Sequence, residues 1–248
     1  MSAQVLVLAK APRPGRVKTR LCPPCTPGQA AAVALAALCD TLDAVDAAPD
    51  DLVERRTLVL DGAPADGLVE DATVESGWWP RAGWDLRGQR GNSLGERIRC
   101  AFTDTAVDGL SSVLIGMDTP QVTGWLLGRC LGQLAGTDAV LGHAADGGWW
   151  LLGLRDPWQA PLVAAVATSR PDTGAQTQAV LASAGLSVAT ARPLRDVDTA
   201  RDAWRVADEC GAGSRFAAAV ARHVPPFAPA EADADADAMA YQRRAGAG

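Results

Sequence analysis

Lysine is nearly absent from this chain of 248 residues: Lys10 and Lys18 are the only two, although Lys and Arg together number 23. Histidine occurs twice, tyrosine once and phenylalanine three times. Two histidines, His143 and His223, leave the Cys22-Pro-Pro-Cys25 spacing without the second ligand pair that a zinc site needs. The six cysteines are scattered and do not form the dense pattern of a small secreted scaffold, so Cys22 and Cys25 read as an idle pair, with a redox role as the alternative. No run of eighteen apolar residues occurs, and no membrane span is expected. The start, MSAQVLVLAK, lacks a cationic leader and a cleavage site, so a cytoplasmic location is expected. Positive charge is in deficit as well. A formal net charge of −6 excludes a general nucleic-acid binder and a surface that adheres to anionic membrane.

What is present is the balance of an ordinary globular protein, 48% hydrophobic and 21% charged, with material for a large core. Both lysines fall in KAPRPGRVKTR (10–20) together with Arg13, Arg16 and Arg20, and no acid interrupts them. Elsewhere the chain writes its cations as Arg, so two lysines within eleven residues call for an explanation. This loop directly follows the apolar run VLVLA, which reads as a buried strand over 4–9. Thr26 and Pro27 then open an Ala/Leu helix to about Val45, with Thr26 as its N-cap. Further strands are expected at 57–61, 112–116, 139–142, 149–154 and 187–191, and helices at 94–107, 121–134, 176–184 and 199–210. Strands alternating with helices predict an α/β fold, a Rossmann-like three-layer αβα arrangement with a mostly parallel central sheet. Residues 1–224 are expected to form one domain, and the Pro/Ala/Asp-biased segment 225–248 a disordered tail.

In such a sheet ligands bind beyond the carboxyl ends of the strands. The loop 10–20 lies at such an end, where Lys10, Arg13, Lys18 and Arg20 would neutralise phosphate oxygens and Gly15 permits a close backbone approach. It is neither a Walker loop nor G-x-G-x-x-G. Asp118 follows the strand at 112–116, and Asp198 follows the last strand, with Asp196 two residues before it. Two carboxylates converging on a phosphate loop suit Mg²⁺ or Mn²⁺. The structural alternatives are a turn residue for Asp118 and a helix N-cap for Asp198. Eight tryptophans are unusual beside so few other aromatics; Trp78, Trp79 and Trp84 would either flank a ligand or fill the core, and of Trp149 and Trp150 at most one faces a site.

Taken together, KAPRPGRVKTRL (10–21), QRGNSLGER (89–97), IGMDTP (115–120), DGGWWLLGL (146–154) and DVDT (196–199) resemble the bacterial family DUF2064, within the nucleotide-diphospho-sugar transferase superfamily of GT-A-type folds. The resemblance spans most of 4–212, and a more distant likeness runs to phospholactate and molybdopterin guanylyltransferases and to cytidylyltransferases for acidic sugars. It implies that the first loop, Lys18 foremost, wraps nucleotide phosphates and that Asp118 and Asp198 hold the divalent metal. It implies nucleotide-side roles for Gln89, Gly91 and Arg97, and an acceptor-side catalytic role for Asp146. This chain has Asn92-Ser93 where the family pattern leads one to expect an Asp, and Trp149-Trp150 where tyrosine is common.

The expected function is that of a metal-dependent transferase. The first alternative is nucleotidyl transfer, in which a small phosphorylated acceptor attacks the α-phosphate of a nucleoside triphosphate and pyrophosphate leaves. The second is glycosyl transfer from an NDP-sugar to an acceptor hydroxyl, with Asp146 as base. The third is a nucleotide-binding module without catalysis. The strongly cationic loop favours the first, because a triphosphate carries more charge than an NDP-sugar. The expected partners are thus a nucleotide and a small-molecule acceptor, with neither nucleic acid nor membrane.

Overall fold

The computed structural model describes residues 2–67 and 78–226. Seven strands form one sheet: β1 (Ala3–Lys10), β2 (Val53–Asp61), β3 (Trp84–Gly88), β4 (Ser111–Gly116), β5 (Ala139–Ala144), β6 (Trp149–Leu154) and β7 (Val188–Leu194). Their spatial order is β3-β2-β1-β4-β6-β5-β7. β1 runs parallel to both β2 and β4, with Val7 level with Leu58 and Ile115. β6 alone is antiparallel, inserted between β4 and β5 as the return arm of a hairpin. The chain moves from β1 outward to β2 and β3, then crosses back to β4 on the other side of β1. That reversal opens a crevice at the carboxyl ends of β1 and β4.

Helices cover both faces. α1 (Pro27–Asp46), α3 (Gly124–Gln133), α6 (Ala200–Glu209) and α7 (Arg215–His223) pack on one side around Val5, Val7, Leu58 and Ile115. α2 (Leu94–Thr105), the short α4 (Pro161–Ala164) and α5 (Thr173–Ser183) pack on the other around Leu6, Leu114 and Leu152. α1 starts where its sequence demands, with a capping box in which the Thr26 hydroxyl accepts from the Gln29 amide while the Gln29 side chain accepts from the Thr26 amide. Its small side chains let it lie close against the sheet. It is also, among the described residues, the one helix long and apolar enough to cross a membrane, with a mean hydropathy of 1.3 and 78% of that stretch buried inside the protein.

Differences from the sequence expectation lie at the sheet margins. β2 begins at Val53 rather than 57, because Glu54, Arg55 and Arg56 interrupt the apolar run yet stay extended, Arg55 pairing with Asp85 at 2.8 Å and Arg56 with Asp50 at 3.0 Å. β3 replaces an expected loop; as an edge strand it exposes Asp85, Leu86 and Arg87 and shows no apolar alternation. α3 starts at Gly124, capped by Thr123, because Gln121 turns aside to donate to the Arg195 carbonyl at 2.6 Å. α7 extends the domain beyond the last expected helix, its first turn held by Asp40 of α1, which accepts from the Phe216 amide at 2.9 Å. Of the expected tail, residues 227–248 lie outside the described residues.

Candidate active site

The crevice at the switch point widens into an open cleft of about 820 Å³. One wall is the β1 loop with the start of α2, the floor is Met117 to Thr119 with Asp196 and Asp198, and the far wall is the turn at Asp146 with the segment 168–173. Lys18 stands between the near wall and the floor. Its backbone is left-handed (φ 47°, ψ 39°) where it caps a 3-10 turn over Thr19–Leu21. A non-glycine residue in that region costs about 1–3 kcal/mol, and such strain gathers at functional sites. The side chain, 7% exposed, forms an ion pair with Asp118 and donates to the Val197 carbonyl. A buried ammonium requires such partners. The Asp118 carbonyl in turn accepts from the Val197 amide at 2.9 Å, so the ends of β4 and β7 are tied together beneath it.

Asp198 does not cap α6. Thr199 does, in a capping box with Asp202, and the Asp198 carboxylate is left to face the cleft. There it meets Asp146 and Asp196: one carboxylate oxygen of each lies within 4.8 Å of the others. Asp196 and Asp198 flank the buried Val197 and both line the cleft, while Asp146 arrives from the β5–β6 hairpin. Burial, then the Asp146 carboxylate and to a lesser degree Asp198, push the Asp196 carboxyl up to about 6. Three crowded oxygen donors, with no histidine or cysteine joining the group among the described residues, suit a hard divalent cation such as Mg²⁺ or Mn²⁺. Arg20 pairs with the outer side of this group, 2.9 Å from Asp198.

The expected site residues thus divide. Lys10, Lys18, Arg20, Gln89, Arg97, Asp118, Asp146 and Asp198 all line the one cleft. Asp118 lies at its floor but outside the carboxylate trio, engaged by Lys18. Gln89 donates to the Ala9 and Val59 carbonyls at 2.7 and 3.1 Å, and Arg97 pairs with Asp61 at 2.7 Å, so both brace the near wall. Arg13, ion-paired with Asp66, is set back from the cleft along with Gly15 and Gly91. Gly91 is held to glycine by its backbone (φ +119°) and by Glu96, whose Cβ would lie 2.8 Å from an added Cβ. Trp78, Trp79 and Trp84 pack on one another, with ring centroids 6.2 and 6.4 Å apart, on the core rather than in the cleft. Trp149 and Trp150 both border the cleft, Trp150 buried and donating to the Arg192 carbonyl at 3.0 Å, Trp149 partly exposed. His143 is outside it, hydrogen-bonded to Gln178, and all six cysteines are free thiols. Asp196 was readable from the D-x-D spacing; the segment 168–173 carries no comparable signal.

Comparison with known proteins places this geometry among relatives. Residues 42–170 match the profile of a family described as "Uncharacterized protein conserved in bacteria (DUF2064)". A protein of Desulfovibrio desulfuricans G20, described as a candidate nucleotide-diphospho-sugar transferase, is 26% identical with a TM-score of 0.72, covering 90% of this chain and 98% of its own. Rv0371c of Mycobacterium tuberculosis H37Rv, in a complex with manganese, is 20% identical with a TM-score of 0.51, covering 83% and 98%. A CMP-2-keto-3-deoxy-manno-octonic acid synthetase complexed with CTP shares the fold at 11% identity and a TM-score of 0.50, covering 80% and 94%. The comparison with curated proteins gave no match.

Proposed function

Because the chain belongs to the DUF2064 family, we propose that it is a metal-dependent transferase acting on an activated nucleotide, and that its reaction is nucleotidyl transfer from a nucleoside triphosphate to a small phosphorylated acceptor, with release of pyrophosphate. The observation that carries this reading is the division of charge in one cleft: cations on the near wall, three converging carboxylates on the floor and at the far wall. The fold it shares with nucleotidyltransferases supports it.

Lys10 and Arg16 line the near wall with no ion pair among the described residues and bind the outer phosphates. Lys18, clamped by Asp118 and Val197, presents a third ammonium direction to the phosphates without needing to reorganise. Asp146, Asp196 and Asp198 hold Mg²⁺ or Mn²⁺, a reading that the manganese-bound Rv0371c supports. The cation, when bound, supplies positive charge against the phosphate oxygens and the departing pyrophosphate. Gln89 and Arg97 keep the near wall rigid so that the loop's charges stay in register. A phosphate nucleophile is already anionic and needs no general base, which frees Asp146 to serve as a ligand.

The description of the Desulfovibrio desulfuricans relative favours a second reading, glycosyl transfer from an NDP-sugar. A thermal-shift series with nucleoside triphosphates and NDP-sugars, each with Mg²⁺ or Mn²⁺, separates the two, since a ligand of the folded state raises the melting point by mass action. The expected result is a response to a triphosphate and none to a sugar nucleotide, abolished in the double variant Lys18→Ala, Arg20→Ala. A response to sugar nucleotides alone selects glycosyl transfer, and silence toward both classes overturns the assignment.

A further inference from the structure

We propose that the far wall of the cleft carries an oxyanion subsite, built from the Arg170 guanidinium and the Thr168 and Ser169 hydroxyls, which holds a phosphate or carboxylate group of the acceptor. The subsite rests on the transferase reading only for the identity of its occupant.

Among the cations lining the cleft, Arg170 alone belongs to the far wall. Two of the arginines across the cleft are committed at their tips: Arg20 spends a terminal nitrogen on Asp198 and Arg97 one on Asp61. Arg170 is engaged the other way round. Its Nε donates to Asp172 at 3.3 Å, while neither terminal nitrogen has a partner among the described residues. Asp172 is in turn held by the Gln176 amide at 2.5 Å instead of capping α5, so its carboxylate serves to aim the guanidinium. The free edge is the part of the side chain that grips an oxyanion in a two-pronged fashion. Thr168 and Ser169 line the same wall, and their hydroxyls have no hydrogen bond within the described residues. Ser169 is the second non-glycine residue in the left-handed region, at φ 60°. A serine held there against its preference requires support from its surroundings.

That support is visible. Gly174 donates its amide to the Gly147 carbonyl at 2.8 Å. A Cβ on Gly147 would come within 1.8 Å of the Pro171 carbonyl oxygen, and one on Gly174 within 2.5 Å of the Gly148 carbonyl oxygen. Only glycines let the segment bearing Arg170 press against the turn bearing Asp146. The anion site is thereby fixed beside the carboxylate trio, on the side opposite the basic loop. The Arg170 side chain, 60% exposed, therefore reaches the open cleft from a segment that is itself held in place.

The test uses the full chain with two probes, methyl phosphate and acetate, whose binding is read by ligand-observed NMR with Mg²⁺ present, before and after saturation with tripolyphosphate to fill the near wall. At least one probe should bind with tripolyphosphate in place, and which one does identifies the acceptor's anion. Arg170→Ala should weaken that binding by on the order of tenfold or more, with Arg170→Lys falling between, because a point charge keeps the attraction and loses the fork. Tripolyphosphate affinity should be unchanged in both variants. Failure of both probes to bind the unaltered protein, or equal binding to Arg170→Ala, overturns the subsite. Loss of tripolyphosphate binding in the unaltered protein would instead count against the nucleotide reading, and the Arg170 comparison with each probe alone would still decide the subsite.

Discussion

Lys18 is held against its backbone preference by two polar contacts, and the two effects are separable. Lys18→Ala removes the contacts and keeps the strain, whereas Lys18→Gly removes both. The glycine variant should therefore be the more stable, by roughly 1 kcal/mol, the reverse of the usual ordering of these residues. Urea unfolding of the two variants checks this, and an alanine variant at least as stable would refute the strain. Arg20 carries a second prediction with an unexpected sign. It pairs with Asp198, one of the three converging carboxylates. Arg20→Ala should tighten Mn²⁺ binding measured by calorimetry, by up to about fivefold, since an exposed ion pair is worth about 0–1 kcal/mol. Arg16→Ala, on the same loop but without an ion pair among the described residues, should change Mn²⁺ affinity less. Equal effects of the two variants would reduce the contact to general charge.

Among the elements, boundaries set by local chemistry were legible and those set by the sheet were not. Thr26-Pro27 announces α1 because a cap and a pre-set φ act within a few residues. The edge strand β3 has no such signal, since its hydrogen bonds come from β2 and every side chain after Trp84 faces water. The same distinction explains Asp198: the capping role that the sequence offered it as an alternative falls to its neighbour Thr199. Thr199→Ala should cost about 1 kcal/mol of stability and leave Asp198 in place. The hairpin turn is a stronger case. Gly147 combines φ +91° with the Pro171 carbonyl in the space of its missing Cβ. Gly147→Ala should cost about 3 kcal/mol or more, which chemical denaturation would read directly; a loss below about 1 kcal/mol would mean that the two segments separate easily.

Across the whole molecule, the cleft was legible as a place and only partly as an inventory. Lys18, Asp118 and Asp198 could be assigned to one edge because each follows a strand of a parallel sheet. That Lys18 would choose Asp118, and that Asp146 and Asp196 would complete the trio with Asp198, depends on side-chain reach across β4, the β5–β6 hairpin and β7. Outside the cleft, the face carrying α1 is joined through Asp43, which pairs with Arg81 and Arg215 from distant parts of the chain. Burial raises this carboxyl, but the two arginines together hold it below the ordinary value of 3.8. Its contribution is therefore complete above the unfolded-chain pKa and lost as pH falls through the lower folded one. Because the group is 40% exposed, screening limits the effect to below about 1 kcal/mol. Urea midpoints followed from pH 6 to pH 2 should fall less steeply in Asp43→Asn than in the unaltered protein, and parallel curves would remove Asp43 from the acid transition.

The ammonium of Lys18 also bears on how this sequence tolerates drift. A chain that spells nearly every cation as arginine has evidently accepted that exchange at most of its surface. It has not done so where a compact donor points at once to a carboxylate and a carbonyl at the edge of the cleft, two directions that a planar fork does not reproduce. Lys18→Arg, conservative by any substitution table, is thus the exchange that this chain's own bias offers most readily and its geometry least permits.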